Sequence, residues 1–424
     1  MIAQSYYNAF SGKNNIKIDS IHISGNKTTK DFIILRELSF SAGDTVSKSA
    51  LAYNRERVYS LGIFNKVNFN IDNKTKLNIL NIQVEESWYI YPVPFLNWRE
   101  NTIAKSSYGV FLLYKNFRGR NETLQALASF GYDPSYFLFY TNPLLIPNED
   151  INLKLGLFYR TISNKSLLAN QIFGKNFNYK TSGGFLTIGK RLNLYNDVSL
   201  SSGFNYIEAP QNISGFTASN ERIDRFAWVG IEYKFDSRNL KQFSENGIFT
   251  SINFVHNGLI NDKVNYNSVS IDFREYRPVF FNITARWRIA YRATLGHRIP
   301  LYDFSFFGSG TYIRGHITED REGNNLLLGS LELSYPLIKE WHVSLNLPLL
   351  PKSLTTARIG LRFNVFGDTG LTYNNGQSII LKNFDSGWGV GLAILFLPYN
   401  AVRFEYSFNE NLRGEFTVGT GFAF

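Results

Sequence analysis

At 424 residues and a net charge of +10, with 16% aromatic and 44% hydrophobic residues, the chain is unusually aromatic for a soluble enzyme yet polar on average, with a mean hydropathy of −0.17. No stretch approaches the roughly 18 uninterrupted apolar residues of a membrane-spanning helix, so any crossing must be made by strands in which lipid-facing and lumen-facing residues alternate. The lack of cysteine excludes disulfides, thiol nucleophiles and cysteine-based metal sites, and the thinly spread lysines and arginines point to solvated lumen and loop positions rather than to nucleic acid.

Residues 1–15 read as an N-terminal extension. Met1-Ile2-Ala3-Gln4-Ser5 contains neither a charged n-region nor an apolar h-region, so a signal peptide is expected to have been removed ahead of it. Ala3-Gln4 resembles the end of such a signal.

Residues 16–87 read as a compact α/β unit. Ile16, Ile18, Ile21 and Ile23 suggest a first strand, closed by Gly25-Asn26. Thr28 or Thr29 is placed to cap a helix through Leu38, with Asp31 in its first turn. Ser47 is placed to cap a second helix through Leu61, in which Leu51, Val58 and Leu61 recur at helical spacing and Gly62 stands at the C-terminal cap. Strands over 66–71 and 77–84 follow, with Val67, Phe69 and Ile71 on one face and Asn68 and Asn70 on the other. The order is β-α-α-β-β. Together with Ser60-Leu61-Gly62-Ile63-Phe64-Asn65-Lys66-Val67 at the join of helix and strand, it resembles a POTRA domain, the periplasmic module of the BamA superfamily. Lys66, Val67, Phe69 and Ile71 then mark either an edge that a client strand extends or an ordinary strand blunted by Lys66.

Over 88–424 the helical period gives way to period-two segments of about ten residues. Sixteen are expected, near 91–97, 108–116, 121–131, 135–143, 150–163, 176–190, 194–208, 224–236, 247–257, 264–280, 284–297, 326–336, 357–367, 387–397, 401–408 and 413–424. Their patterning is explicit in places: Val402, Phe404, Tyr406 and Phe408 alternate with Arg403, Glu405 and Ser407. An even total, with short turns on one side and long loops on the other, suits an antiparallel outer-membrane barrel. The stretch 337–356 breaks this rhythm.

Three sets of residues stand out. Pro92 and Pro94 in the first barrel segment lack ladder donors, and Gly419 and Gly421 weaken the last, which ends at Phe424. Either the prolines stiffen the linker from the first domain, or incomplete first–last pairing leaves a lateral gate. In the longest predicted outer loop, Phe306-Phe307-Gly308-Ser309-Gly310 is followed by Tyr312-Ile313-Arg314-Gly315-His316. That run resembles the BamA superfamily's Val-Arg-Gly-Phe/Tyr motif, varied to Ile-Arg-Gly-His. The resemblance implies a loop folded into the lumen, where an unpaired arginine is very costly. Glu332 on the next strand, and Asp368 in Phe366-Gly367-Asp368-Thr369-Gly370, which resembles the family's Phe-x-Asp-x-Gly motif, are the expected partners of Arg314. Weaker matches are Asn116-Phe117-Arg118-Gly119-Arg120, and Asp236-Ser237-Arg238-Asn239 with Gly247.

No esterase elbow or phosphate loop appears. His22, His256, His297, His316 and His342 show no ligand spacing. No enzymatic activity, metal or other cofactor is therefore expected. The resemblance implies an outer-membrane assembly factor that binds unfolded outer-membrane or secreted clients through a periplasmic POTRA domain. Outer-membrane lipid and accessory lipoproteins are its further candidate partners. A dedicated two-partner-type secretion pore and a passive channel remain alternatives, although secretion relatives usually carry two POTRA domains and a plug helix, and no such helix precedes residue 16.

Overall fold

The computed structural model describes residues 15–72, 77–98, 106–260, 263–307, 311–317 and 320–421. The N-terminal unit comprises β1 (Asn15–Lys17), β2 (Ser20–Ser24), α1 (Asp31–Leu35), β3 (Thr45–Ser47), α2 (Lys48–Tyr59), β4 (Phe64–Asp72) and β5 (Ile79–Glu86). The principal sheet has the order β2-β5-β4, with β2 parallel and β4 antiparallel to the central β5. Ile18, Ile33, Ile34, Val58, Leu80 and Ile82 form its buried core with almost no exposed surface.

The isoleucine run is divided between two strands. Ile16 and Ile18 share one parity and Ile21 and Ile23 the other, so one continuous strand would bury only half of them. The chain resolves the slip at Ile18, whose N–H donates to Asp44 O and whose carbonyl accepts from Gly43 N. β1 pairs with the short β3. The residue capping α1 is Lys30, without a side-chain hydrogen bond. Thr29 is engaged elsewhere: its backbone N–H and its hydroxyl both lie 2.7 Å from Glu86 Oε1. Ser47 does cap α2, accepting from Ala50 N at 3.1 Å, a bond of about 1 kcal/mol in similar helices. α2 ends at Tyr59, two residues early, and Gly62 takes φ +69°.

The rest is an all-β barrel wall. Its strands are β6 (Ile90–Trp98), β7 (Ser106–Phe117), β8 (Glu122–Gly131), β9 (Ser135–Ile146), β10 (Ile151–Ser163), β11 (Asn178–Arg191), β12 (Asn196–Glu208), β13 (Ile223–Asp236), β14 (Gly247–Asn257), β15 (Tyr266–Pro278) and β16 (Thr284–Gly296). A long loop then carries β17 (Ser305–Phe307) and β18 (Arg321–Gly323), which pair with each other. The wall resumes with β19 (Asn325–Ser344), β20 (Thr356–Tyr373), β21 (Asp385–Leu397), β22 (Asn400–Asn409) and β23 (Gly414–Thr420). These sixteen wall strands make one antiparallel sheet in sequential order, and each overlaps one of the expected segments.

Alternation along the wall follows the pleat. Leu331, Leu333, Phe404 and Tyr406 are exposed outward, whereas Glu332, Ser334, Arg403, Glu405 and Ser407 are buried inward. The irregular stretch 337–356 has a simple origin. The β16–β19 ladder ends at Thr284↔Ser334, but β19 continues to pair with β20 as far as Ser344↔Thr356. The result is a hairpin extension with register shifts at Pro336/Ile338 and Ile338/Trp341.

Candidate functional site: a lumen lock, the barrel seam and a capped mouth

Arg314 lies at the bottom of the long loop, buried inside the barrel. Its Nε donates to Asp368 Oδ2 and its Nη2 to Asp368 Oδ1, both at 2.7 Å. The backbone N–H of the same residue reaches Asp368 Oδ2 at 3.1 Å. This fork geometry is the strong form of an arginine–carboxylate contact. Nη1 meets Glu332 Oε2 at 2.9 Å. The guanidinium carbon stands 3.7 Å from the centre of the Phe366 ring, a desolvated cation–π contact.

A third carboxylate was not singled out by the motifs: Glu405 Oε1 lies 3.4 Å from Arg314 Nη1. Two more cations complete the group. Arg286 pairs with Glu332 at 3.2 Å and Arg403 with Glu405 at 3.0 Å. Three arginines therefore face three carboxylates, and the buried cluster is neutral, the condition under which burial of charge is tolerated. The only hint of Glu405 in the sequence is its inward position on an alternating strand.

Backbone fit holds the loop as closely as charge does. Gly315 has φ +98°, and a Cβ there would lie 2.7 Å from Phe408 O. A Cβ on Gly370 would meet the Phe307 ring at 2.6 Å. Gly387, which no motif contains, is tighter still: a Cβ would stand 1.8 Å from Arg314 O. At the motif's variant position, His316 is buried with Nε2 2.8 Å from Glu410. His316, Asp385 and Glu410 each offer a ligand-type atom within 4.8 Å of the others. Asp385 already pairs with Arg321 at 3.1 Å. Sequence spacing gives no sign of this grouping.

The seam is where the wall ends. Among the described residues no ladder joins β23 to β6. Pro92 and Pro94 are exposed on β6 and lie opposite Leu112 and Val110 of β7. Gly419 sits opposite Arg403, and Gly421, at φ +92°, donates to Ala401 O just beyond the last rung. Phe424 lies outside the described residues, as do Gly308, Ser309 and Gly310. In the N-terminal domain Lys66, Val67, Phe69 and Ile71 lie on β4, an edge strand of its sheet. Lys66 is exposed, Val67 buried, and Phe69 and Ile71 half-buried.

The same domain caps the adjacent mouth of the barrel, and the two weaker sequence matches, 116–120 and 236–239, lie at that rim. Its contacts run around the rim. Asn116 donates to Thr29 Oγ1 at 2.9 Å, and Gly119 approaches so closely that a Cβ would lie 2.0 Å from Thr28 O. Arg36 pairs with Asp150 at 3.0 Å, Arg191 with Glu37 at 2.9 Å, and Arg358 with Glu56 at 2.7 Å. Tyr53 donates to Ser237 O at 2.9 Å, and Asn65 to Ser353 O at 2.7 Å. Leu240, Phe243, Leu395 and Leu397 of the barrel join the domain's apolar core. Burial opposes ionisation of Glu37, but the charges of Arg191, Lys241 and Arg57 outweigh it and hold its pKa below the usual carboxylate value.

Two family models match the chain. One, described as the Omp85 superfamily domain, covers residues 116–424, and a POTRA model described as a surface antigen variable number repeat covers 16–87. No curated protein matched. Among solved structures, BamA from Haemophilus ducreyi lacking POTRA domains 1-3 is similar at 17% identity and a TM-score of 0.55, over 96% of this chain and 84% of that one. CdiB from Escherichia coli is similar at 12% identity and a TM-score of 0.52, over 95% of this chain and 75% of that one. At such identities the likeness is one of fold.

Proposed function

From the premise that this chain belongs to the Omp85 superfamily and forms an outer-membrane barrel, we propose that it inserts client proteins into the outer membrane, or passes them across it. The capped mouth faces the periplasm in this reading. The observation that carries it is the seam, a wall of sixteen strands left without a ladder between its first and last members among the described residues.

Pro92 and Pro94 remove two backbone donors from one side of that seam. Each missing hydrogen bond withholds about 0.5–1.5 kcal/mol of net closure. A client strand that pairs along the seam satisfies edge groups that lipid cannot, which is the driving force of strand addition in a membrane. The β4 edge around Lys66, Val67, Phe69 and Ile71 offers an earlier site of the same kind. The lumen itself is occupied by the Arg314 cluster and the mouth by the N-terminal domain, an arrangement that favours a lateral route over passive conduction.

Depletion of the protein in its native host, followed by outer-membrane proteomics, tests the reading. Loss of many unrelated barrels identifies a general insertase, and loss of one surface or secreted protein a dedicated translocator. Unchanged protein content with altered solute permeability would overturn both.

A further inference from the structure

The hairpin extension of β19 and β20 ends in Leu345-Asn346-Leu347-Pro348-Leu349-Leu350-Pro351. All four of its leucines are exposed, Leu349 completely so at 102%. Leu349 also takes φ +67°, a left-handed conformation that a leucine adopts only at a cost. Four exposed leucines on one short tip form an apolar surface that nothing in the described chain covers.

The surroundings identify its chemistry. The outward row Leu331, Leu333, Tyr335 and Leu337, which faces lipid in any barrel of this kind, runs directly into the extension and is followed there by exposed Trp341. Exposed Lys352 adjoins the tip; a tryptophan and a lysine bordering an apolar segment are what a membrane interface selects. Part of the tip's backbone is satisfied from within the chain. Pro348 and Pro351 have no N–H to leave unsatisfied. Leu345 N donates to Thr355 O, Leu350 N to Leu347 O, and Thr355 Oγ1 to Leu345 O. The polar side of the hairpin is taken by the N-terminal domain, through Arg55 and Glu340 at 3.6 Å and through Asn65 and Ser353.

We propose that this tip inserts into the bilayer leaflet nearer the N-terminal domain, beside the seam. Its base adjoins the strand that opens the wall. Trp88 N, two residues before β6, donates to Ser353 O at 3.1 Å, and Tyr399 reaches the same carbonyl at 3.0 Å. Leucine side chains on this hairpin then take the place of acyl chains next to the seam. The inference rests on the barrel lying in a membrane, and the test separates the two.

Because the chain lacks cysteine, single labels are unambiguous. Leu349→Cys, Leu331→Cys and Lys27→Cys proteins, each carrying an environment-sensitive fluorophore, are reconstituted into phosphatidylethanolamine/phosphatidylglycerol vesicles. A fraction of the lipid bears a nitroxide high on the acyl chain. A heat-dependent gel shift confirms that each barrel has folded. Leu331 reports the lipid belt and exposed Lys27 the aqueous phase. The expected result at Leu349 is blue-shifted emission and quenching several-fold above that at Lys27, which adding Leu347→Glu reduces while Leu331 is unaffected. Emission and quenching at Leu349 equal to those at Lys27, with Leu331 still quenched, would overturn the proposal and leave a protein partner for this face. Loss of quenching at Leu331 would instead sink the barrel reading beneath it.

Discussion

Replacing Arg314 by alanine removes the one cation that touches all three carboxylates of the lumen cluster. Asp368 loses a bidentate partner and Glu332 and Glu405 one contact each, and the cluster changes from neutral to one net negative charge. Breaking a buried pair in this way costs roughly 3–5 kcal/mol. At about 1.4 kcal/mol per tenfold change, the loop around 311–317 should open two to three and a half decades more often. Hydrogen exchange of that segment in the reconstituted protein measures it. Arg314→Lys keeps a charge but cannot fork, and should fall between, at a cost of about 1.5–3 kcal/mol. Adding Asp368→Asn to the alanine variant restores neutrality, so the double variant should be less destabilised than the sum of its parts. Exchange within tenfold of wild type in Arg314→Ala would refute the claim that this cluster holds the loop.

Three further outcomes follow from the same structure. Gly387→Ala should loosen the 311–317 segment about as much as Arg314→Ala without preventing barrel formation, because its Cβ collides with Arg314 O; unchanged exchange would contradict the fit described. Pro92→Val/Pro94→Val returns two donors to β6, worth together about 1–3 kcal/mol. It should slow assembly of a client barrel in vesicles and raise the denaturant midpoint; equal assembly rates would argue against the seam as the route. The pKa of Glu37 is depressed in the capped state by neighbouring cations, so its contribution is present above the ordinary value near ~4.3 and is lost as pH falls through the depressed one. Distance measurements between the domain and the barrel rim should show undocking at low pH, and Glu37→Gln should be weakly docked and insensitive over that window.

What the sequence could and could not show follows from the range of each signal. The sixteen wall strands were legible because a two-residue period needs no knowledge of neighbours. The same is true of the Ser47 cap, whose partner Ala50 is three residues away. Thr29 misled because its true partner, Glu86, is 57 residues distant and outcompetes the local cap. Arg314, Glu332 and Asp368 could be grouped through motifs, but Glu405, 91 residues from Arg314, could be grouped only by strand order and stagger. The capped mouth was invisible for the same reason. Its bonds join residues such as Glu56 and Arg358, 302 positions apart, and several of them use backbone carbonyls, which leave no mark on composition.

The lumen lock and the capped mouth share atoms. Glu332 binds Arg314 through one oxygen and Arg286 through the other. The Arg286 guanidinium lies 3.6 Å from the centre of the Phe243 ring, and Arg362 covers the same ring at 5.3 Å while pairing with Glu245. Phe243 belongs to the β13–β14 turn, whose Lys241 N–H donates to Ser60 Oγ and whose Gln242 side chain donates to Ser60 O in the N-terminal domain. A continuous run of contacts thus crosses the barrel from the long loop to the cap. Contiguity alone does not establish energetic coupling, but it shows where coupling is to be read. In Arg314→Ala, Glu332 keeps only Arg286 as a cationic partner, so the position of Arg286 over Phe243 must readjust. Faster exchange in 237–246 as well as in 311–317 would mean that the lock and the cap open as one unit, whereas exchange confined to the loop would mean that the Phe243 stack isolates them.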